Sequence, residues 1–208
     1  MKNIYSVNYI DSMFHGFKST SFYKSNKHIN EKDFFEEINN KLISMKDNNN
    51  SIYFFGNGAS AAFANHMALD FSKNGNILSR SLSDSSLLTA LSNDYSYDDA
   101  MVEFLKIENP SKNDFIITIS SSGNSNNVVK VLDFASNKGI KSLSLSGLNE
   151  NNKSIEKSDF SIYTPMKTYG MVECMHQVYL HLILDNFMGI EEWNKSESQN
   201  MDSSNFKL

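Results

Sequence analysis

From residue 52 onward, short apolar runs alternate with segments whose apolar residues recur every three to four positions. The runs predict strands over 52–55, 77–80, 115–119, 141–145 and 160–163. The segments between them predict helices over 60–72, 85–91, 100–107 and 126–137, with a weaker one near Ser154. Strands and helices that alternate in this way are joined by right-handed crossovers, so the pattern predicts an α/β fold: a three-layer sandwich around a parallel, mainly five-stranded sheet. Ligands in that class bind beyond the carboxyl ends of the strands. A last helix over 171–188 is apolar nearly all round, which predicts burial or a subunit contact.

Residues 4–47 mix aromatic and aliphatic positions with Lys, Asn and Glu, without strand-like alternation. Phe34, Phe35, Ile38 and Leu42 fall at helical spacing, and one or two helices are expected here. The polar run 46–51 then separates this part from the α/β pattern. The expected organisation is an N-terminal helical arm over 1–50 packed on the body, an α/β domain over 51–192, and a polar tail over 193–208.

A chain of 208 residues, 40% hydrophobic, suits one domain with a sizeable core. Its net charge of −5 argues against a nucleic-acid or anionic-membrane surface built on bulk charge. No run of apolar residues is long enough for a membrane span, and the first residues do not lead into an apolar signal core, so a cytoplasmic protein is expected. The single cysteine, Cys174, excludes an internal disulfide and reads from its apolar neighbours as a buried, inert thiol.

Two places carry chemistry. The strand at 115–119 breaks into Ser120-Ser-Ser-Gly-Asn-Ser125 and then enters a helix. Such a loop aims hydroxyls and backbone N–H groups at one spot beside the positive end of a helix dipole, which holds a phosphate without cationic side chains. The strand at 52–55 ends similarly in Gly56-Asn-Gly-Ala-Ser60, with Ser60 a ready N-cap. One Gly-x-Gly-x-Ser loop is weak evidence, whereas two strand-loop-helix units of the same chemistry point to a shared cleft. Ser85, Asn93 and Asp94 follow a third unit, either lining that cleft or serving as caps and turn residues.

The ionisable residues gather on two predicted helices. His66 and Asp70, four apart, share a face, as a metal or substrate pair or as an ordinary surface contact. Glu173, His176, Gln177 and His181 lie in the otherwise apolar last helix, where they must be paired or used. If the two helices pack side by side, His66, Asp70, Glu173 and His181 converge as an acceptable set for Zn²⁺.

These pieces together, Gly56–Ser60, His66 with Asp70, Ser92-Asn-Asp94, Ile119–Ser125, Leu145-Ser-Gly147, and Glu173 followed by His176 and His181, resemble the SIS (sugar isomerase) domain. Within it they are most similar to the phosphoheptose isomerases. The resemblance runs from about 52 to 188 and implies a flavodoxin-like sheet. It also implies that Ser120, Ser121, Ser122 and Ser125 hold a phosphate, while Asn57, Gly58, Ala59, Ser60, Asn93, Asp94 and Glu173 contact the sugar. Asp70 is then the candidate base, with Glu173 as a second carboxylate, and His181 the candidate acid. His66, Asp70, Glu173 and His181 are the implied zinc ligands. The family commonly has Glu in place of Asp70 and Gln in place of Glu173, so one carboxylate is a methylene shorter and another is added. The implied activity interconverts sedoheptulose 7-phosphate and D-glycero-D-manno-heptose 7-phosphate through an enediol, for surface polysaccharide synthesis. The implied assembly is a homotetramer with shared sites. A non-catalytic member that senses sugar phosphate, or one that binds a replication initiator, is the alternative.

Overall fold

The computed structural model describes residues 4–191 and Trp193. The chain opens with α1 (Tyr5–Lys18), a hairpin of β1 (Ser21–Lys24) and β2 (Lys27–Ile29), and α2 (Glu31–Asp47). Asn30 caps α2 by accepting from the Asp33 N–H at 3.0 Å, and Glu31 and Asp33 place negative charge against the positive end of the helix. Phe34, Ile38, Leu42 and Met45, one to each turn, carry the buried face of α2.

The hairpin corrects two expectations: the segment 1–50 is not all helix, and the sheet has seven strands rather than five. Ser25 and Asn26 both have positive φ, 49° and 58°, and form a tight two-residue connection of the kind that matches strand twist. β1 lies between β2 and β7, antiparallel to both. Phe22 and Tyr23 are therefore both buried, on opposite faces, and no alternation betrays the strand.

The rest of the pattern holds. β3 (Ile52–Gly56), β4 (Ser79–Ser81), β5 (Phe115–Ser120), β6 (Lys141–Gly147) and β7 (Phe160–Thr164) are mutually parallel, and the full order is β2-β1-β7-β6-β5-β3-β4. Between them run α3 (Ala59–Lys73), α4 (Ser85–Asp94), α5 (Ala100–Glu108), α6 (Asn126–Lys138) and the short α7 (Lys153–Lys157). α8 (Tyr169–Met188) closes the described chain. Alternate residues of β3 feed two cores: Ile52 and Phe54 pack with Phe34, Phe71 and Ile183 on the α2, α3 and α8 side, while Tyr53 and Phe55 pack with Leu91, Phe104 and Val131 on the other. The polar tail expected over 193–208 lies, apart from Trp193, outside the described residues.

Chain order in the parallel part reverses between β3 and β5, so the crevice that binds ligands in this class opens there. Register puts Gly56 beside Ile119 and Ser120 beside Ser146, so the loops after β3 and β5 leave the sheet at nearly one height. The two loops singled out by composition are thus the two that flank the switch point.

His176 is fully buried on α8, with Nε2 3.4 Å from Thr164 Oγ1, and takes no part in the crevice. Burial pushes its pKa down from 6.5 to about 4, against a smaller opposing pull from the Ser146 backbone. As the pH falls, the unfolded chain takes up this proton first. Its contribution to stability is intact above about pH 6.5 and is lost progressively toward pH 4, by about 3 kcal/mol in all. Urea midpoints measured from pH 7 to 4 should show this slope, and His176→Phe should flatten it.

Candidate active site

β5 delivers Ser120 to the head of a turn in which Gly123 adopts φ +64° and donates its N–H to the Ser120 carbonyl at 2.9 Å. Ser120 Oγ and Ser125 Oγ are 3.3 Å apart. The turn is pinned from outside: Ser154 reaches the Gly123 carbonyl through its N–H at 3.0 Å and its hydroxyl at 2.9 Å, and the Gly147 N–H reaches the Ser121 carbonyl at 3.0 Å. Ser125 stands at the N-cap of α6 but makes no side-chain cap bond, which leaves the helix terminus available to an anion.

A cavity of about 100 Å³ opens here, lined by Asn57, Ser60, Ser120, Ser121, Ser122, Ser125, Tyr169 and Glu173 among others. No lysine or arginine is among its lining residues. Its wall offers hydroxyls and the Asn57 amide beside the start of α6, together with the Glu173 carboxylate.

The loop after β3 is held by its glycines. Gly58 takes φ +56° and ψ −123°, a conformation that side chains resist, and a Cβ on Gly56 would lie 2.6 Å from the Ser60 carbonyl group. Gly58, not Ser60, is the N-cap of α3; Ser60 is buried within the first turn, its place in the cavity wall accounting for it better than capping does. Asn57 is fixed by a reciprocal amide pair with Asn127, 2.9 Å each way, and by the Tyr97 hydroxyl at 2.9 Å.

His66, Asp70 and His181 come together. His66 Nε2 lies 3.2 Å from Asp70 Oδ2 and 3.3 Å from His181 Nε2, and His181 Nε2 lies 3.8 Å from Asp70 Oδ2. All three donor atoms fall within 4.8 Å of one another. Two nitrogens held ~2.0 Å from one ion in tetrahedral geometry are about 3.3 Å apart, so the imidazole pair fits zinc. The shorter carboxylate of Asp70 still reaches the cluster. His181 Nδ1 lies 3.1 Å from the Gln177 main-chain carbonyl. Nδ1 thus faces Gln177, whose side-chain Nε2 is also 3.1 Å away, and the ring's Nε2 faces His66 and Asp70.

Glu173 is not part of this group. Eight residues before His181, it lines the serine cavity instead, and Gln177, midway, is the α8 residue beside His181, with Nε2 3.1 Å from Nδ1. Three of the four expected ligands converge, and the fourth sits with the hydroxyls.

Other expected residues are placed differently. Asn93 and Asp94 end α4, exposed and hydrogen-bonded to each other at 3.0 Å, and are not among the residues lining the cavity. Asp84 rather than Ser85 caps α4. Gly58 and Ala59 are exposed beside the cavity, not in its wall. Cys174 is exposed, because it shares with Val178 and Leu182 the side of α8 turned away from the sheet. Tyr97, Asn127 and Tyr169 were not anticipated. Asn127 carried one usable signal, its place in the first turn after the serine loop, whereas Tyr97 and Tyr169 reach the site only through tertiary contact.

Comparison with known proteins agrees with this fold. Residues 25–147 match the SIS domain family. The chain is 35% identical to the phosphoheptose isomerase of Helicobacter pylori strain Shi470 over 153 residues, which is 69% of this chain and 77% of that protein. It is 34% identical to the phosphoheptose isomerase of Aneurinibacillus thermoaerophilus over 154 residues, 71% of this chain and 77% of that protein. A phosphoheptose isomerase structure from Francisella tularensis shares the fold at 17% identity, with a TM-score of 0.75 over 92% of this chain and 100% of the other. With the serine loop at the switch point and the two loops of the crevice in register, the chain belongs to the SIS domain family and groups there with the phosphoheptose isomerases.

Proposed function

We propose that this protein interconverts sedoheptulose 7-phosphate and D-glycero-D-manno-heptose 7-phosphate through an enediol, supplying heptose for surface polysaccharide. The observation that carries the reading is the pairing of an anion cavity with an ionisable cluster along two helices. α3 brings Ser60 to the cavity and, further on, His66 and Asp70 to the cluster; α8 brings Tyr169 and Glu173 to the cavity and, further on, His181 to the cluster. The axial offsets are about 9 Å from Ser60 to His66 along α3 and about 12 Å from Glu173 to His181 along α8 at 1.5 Å per residue. A sugar chain of six or seven carbons spans a comparable length, so a phosphate held by the serines presents the carbonyl end to the cluster.

There Asp70, with Oδ2 held 3.2 Å from His66 Nε2, removes the proton carried by C1 or C2 and returns it to the neighbouring carbon. Without an ion, His181 is the acid that gives the carbonyl oxygen its proton and takes back the proton of the neighbouring hydroxyl as the new carbonyl forms there. Zinc held by His66, Asp70 and His181 would supply charge stabilisation to the enediolate oxygens. Glu173, placed in the cavity wall, contacts the sugar rather than the ion. The test is conversion of sedoheptulose 7-phosphate followed by NMR in D₂O, with metal content of the purified protein. Interconversion with solvent exchange at C1 and about one zinc per chain is expected. No exchange and no metal would favour a sugar-phosphate sensor instead.

The same reading assigns a cytoplasmic enzyme assembled as a homotetramer with shared sites. Among the described residues no helix is long and apolar enough to cross a membrane. Ile4 at the N-cap and Val7, Ile10 and Phe14 along one side of α1 are each about half exposed or more, and Val178 and Leu182 on α8 are also open. An apolar stripe of this length calls for a partner surface. Ile10→Asp with Phe14→Glu should dissociate the assembly, read as a fall in sedimentation mass; an unchanged mass would place the interface elsewhere.

A further inference from the structure

The side chain of Asn57 has a fixed polarity, and the reason lies outside the residues assigned so far. The Val128 backbone N–H donates to Asn127 Oδ1 at 3.0 Å. A backbone N–H can only donate, so Asn127 must present its oxygen there and its Nδ2 to Asn57 Oδ1. Asn57 Nδ2 then faces Asn127 Oδ1, and the Tyr97 hydroxyl, 2.9 Å from Asn57 Oδ1, has to be the donor. Both acceptor directions of the Asn57 oxygen are taken. One N–H of its amide is left without a protein partner among the described residues, in a side chain that lines the serine cavity.

We propose that Tyr97 is a positioning residue of this site, acting through Asn57. Anchored by the tightly buried Asn127, it locks the Asn57 amide as a one-directional donor to an oxygen of the ligand. The chemical class that fits is an acceptor, a sugar hydroxyl, carbonyl or enediolate oxygen, beyond the phosphate held by the serines. This rests on the isomerase reading for the identity of the sugar, but not for the polarity of the network. Tyr97 comes from the turn before α5 and Asn127 from the start of α6, so the network also ties the loop after β3 to the serine loop. Loss of the Tyr97 hydroxyl removes one of the two donors that hold the Asn57 oxygen, so the amide keeps the polarity set by Asn127 but loses its fixed aim at the ligand atom.

The test is a double-mutant cycle of Tyr97→Phe and Asn57→Ala. Tyr97 is half exposed, so the Phe variant keeps the ring and the fold. Tyr97→Phe should lower kcat/KM for sedoheptulose 7-phosphate about tenfold, leave competitive inhibition by inorganic phosphate unchanged, and have no further effect in the Asn57→Ala background. An equal loss in both backgrounds, or an equal weakening of inorganic phosphate, would overturn the proposal. If the unmodified protein does not turn over the sugar phosphate, the isomerase reading fails. The same cycle is then read as calorimetric binding of sedoheptulose 7-phosphate against inorganic phosphate: selective weakening of the sugar ligand sustains the role of Tyr97, and equal weakening or no binding by the unmodified chain ends it.

Discussion

Asp70→Asn is expected to lower turnover by about 10²–10⁴-fold, the range that a positioned general base contributes, while inorganic phosphate still binds. The expectation separates the two ends of the site. Asp70 sits two to three turns along α3 from the serine cavity and touches His66 and His181, whereas none of the cavity's lining residues is Asp70. The Asn side chain has nearly the same shape, so the helix should be undisturbed, but it cannot take a proton and is a poor ligand for a divalent ion. Zinc retention should fall together with kcat, measured by metal analysis after dialysis. Glu173→Gln is the control. It restores the family's amide at a position in the cavity wall, and should change KM more than kcat. A dead Glu173→Gln enzyme beside an active Asp70→Asn enzyme would transfer the base role to Glu173.

Gly123→Ala should be the most damaging single change in the serine loop. Gly123 lies at φ +64°, where an L side chain is strained by about 1–2 kcal/mol. The added Cβ would also overlap the side-chain amide of Asn152. That amide caps α7 by accepting from the Ile155 N–H at 3.1 Å, and it donates to Ser146 Oγ at 3.2 Å and to the Asn149 carbonyl at 2.8 Å. Moving it costs about 1 kcal/mol for the cap alone. A total of about 3 kcal/mol lowers Tm by roughly 6–12 °C for a chain of this size, together with loss of phosphate binding as the turn opens. Gly139→Ala isolates the backbone part. Gly139 has a similar φ, +68°, but a Cβ there meets nothing within 4 Å, so only the conformational strain is paid. Melting curves of the two variants, with and without phosphate, should differ by the Asn152 contribution. Equal curves would show that Asn152 yields freely.

Much of the parallel sheet was legible because β3 and β5, short and buried on both faces, read as apolar runs between helical periods, while β6 and β7 place Leu, Phe or Ile at every second position with serine between. β1 and β2 were not, since they are four and three residues long and sit where Phe22 and Tyr23 are buried on opposite faces. The status of β1 as a strand comes from pairing with β7, a partner more than a hundred residues away, and β2 pairs only with β1. His66 and Asp70 were legible as a pair because four residues on a helix return to one face. The partition of α8 was not. Glu173 and His181 stand two turns apart, and only the packing of α8 on α3 decided that one would meet the hydroxyls and the other the imidazole of His66.

The sequence by itself determined the local chemistry: a glycine-bearing hydroxyl loop that enters a helix, a second glycine loop of the same form, and titratable residues on two helices. These follow from neighbours within a few positions, and such information survives in any fold. Tertiary structure decided which of them meet. The reversal of strand order between β3 and β5 set the loops side by side, and the packing of α3 on α8 drew His66, Asp70 and His181 into one group. It also turned Cys174 outward and brought Tyr97 onto Asn57, contacts between residues tens of positions apart that no local pattern encodes.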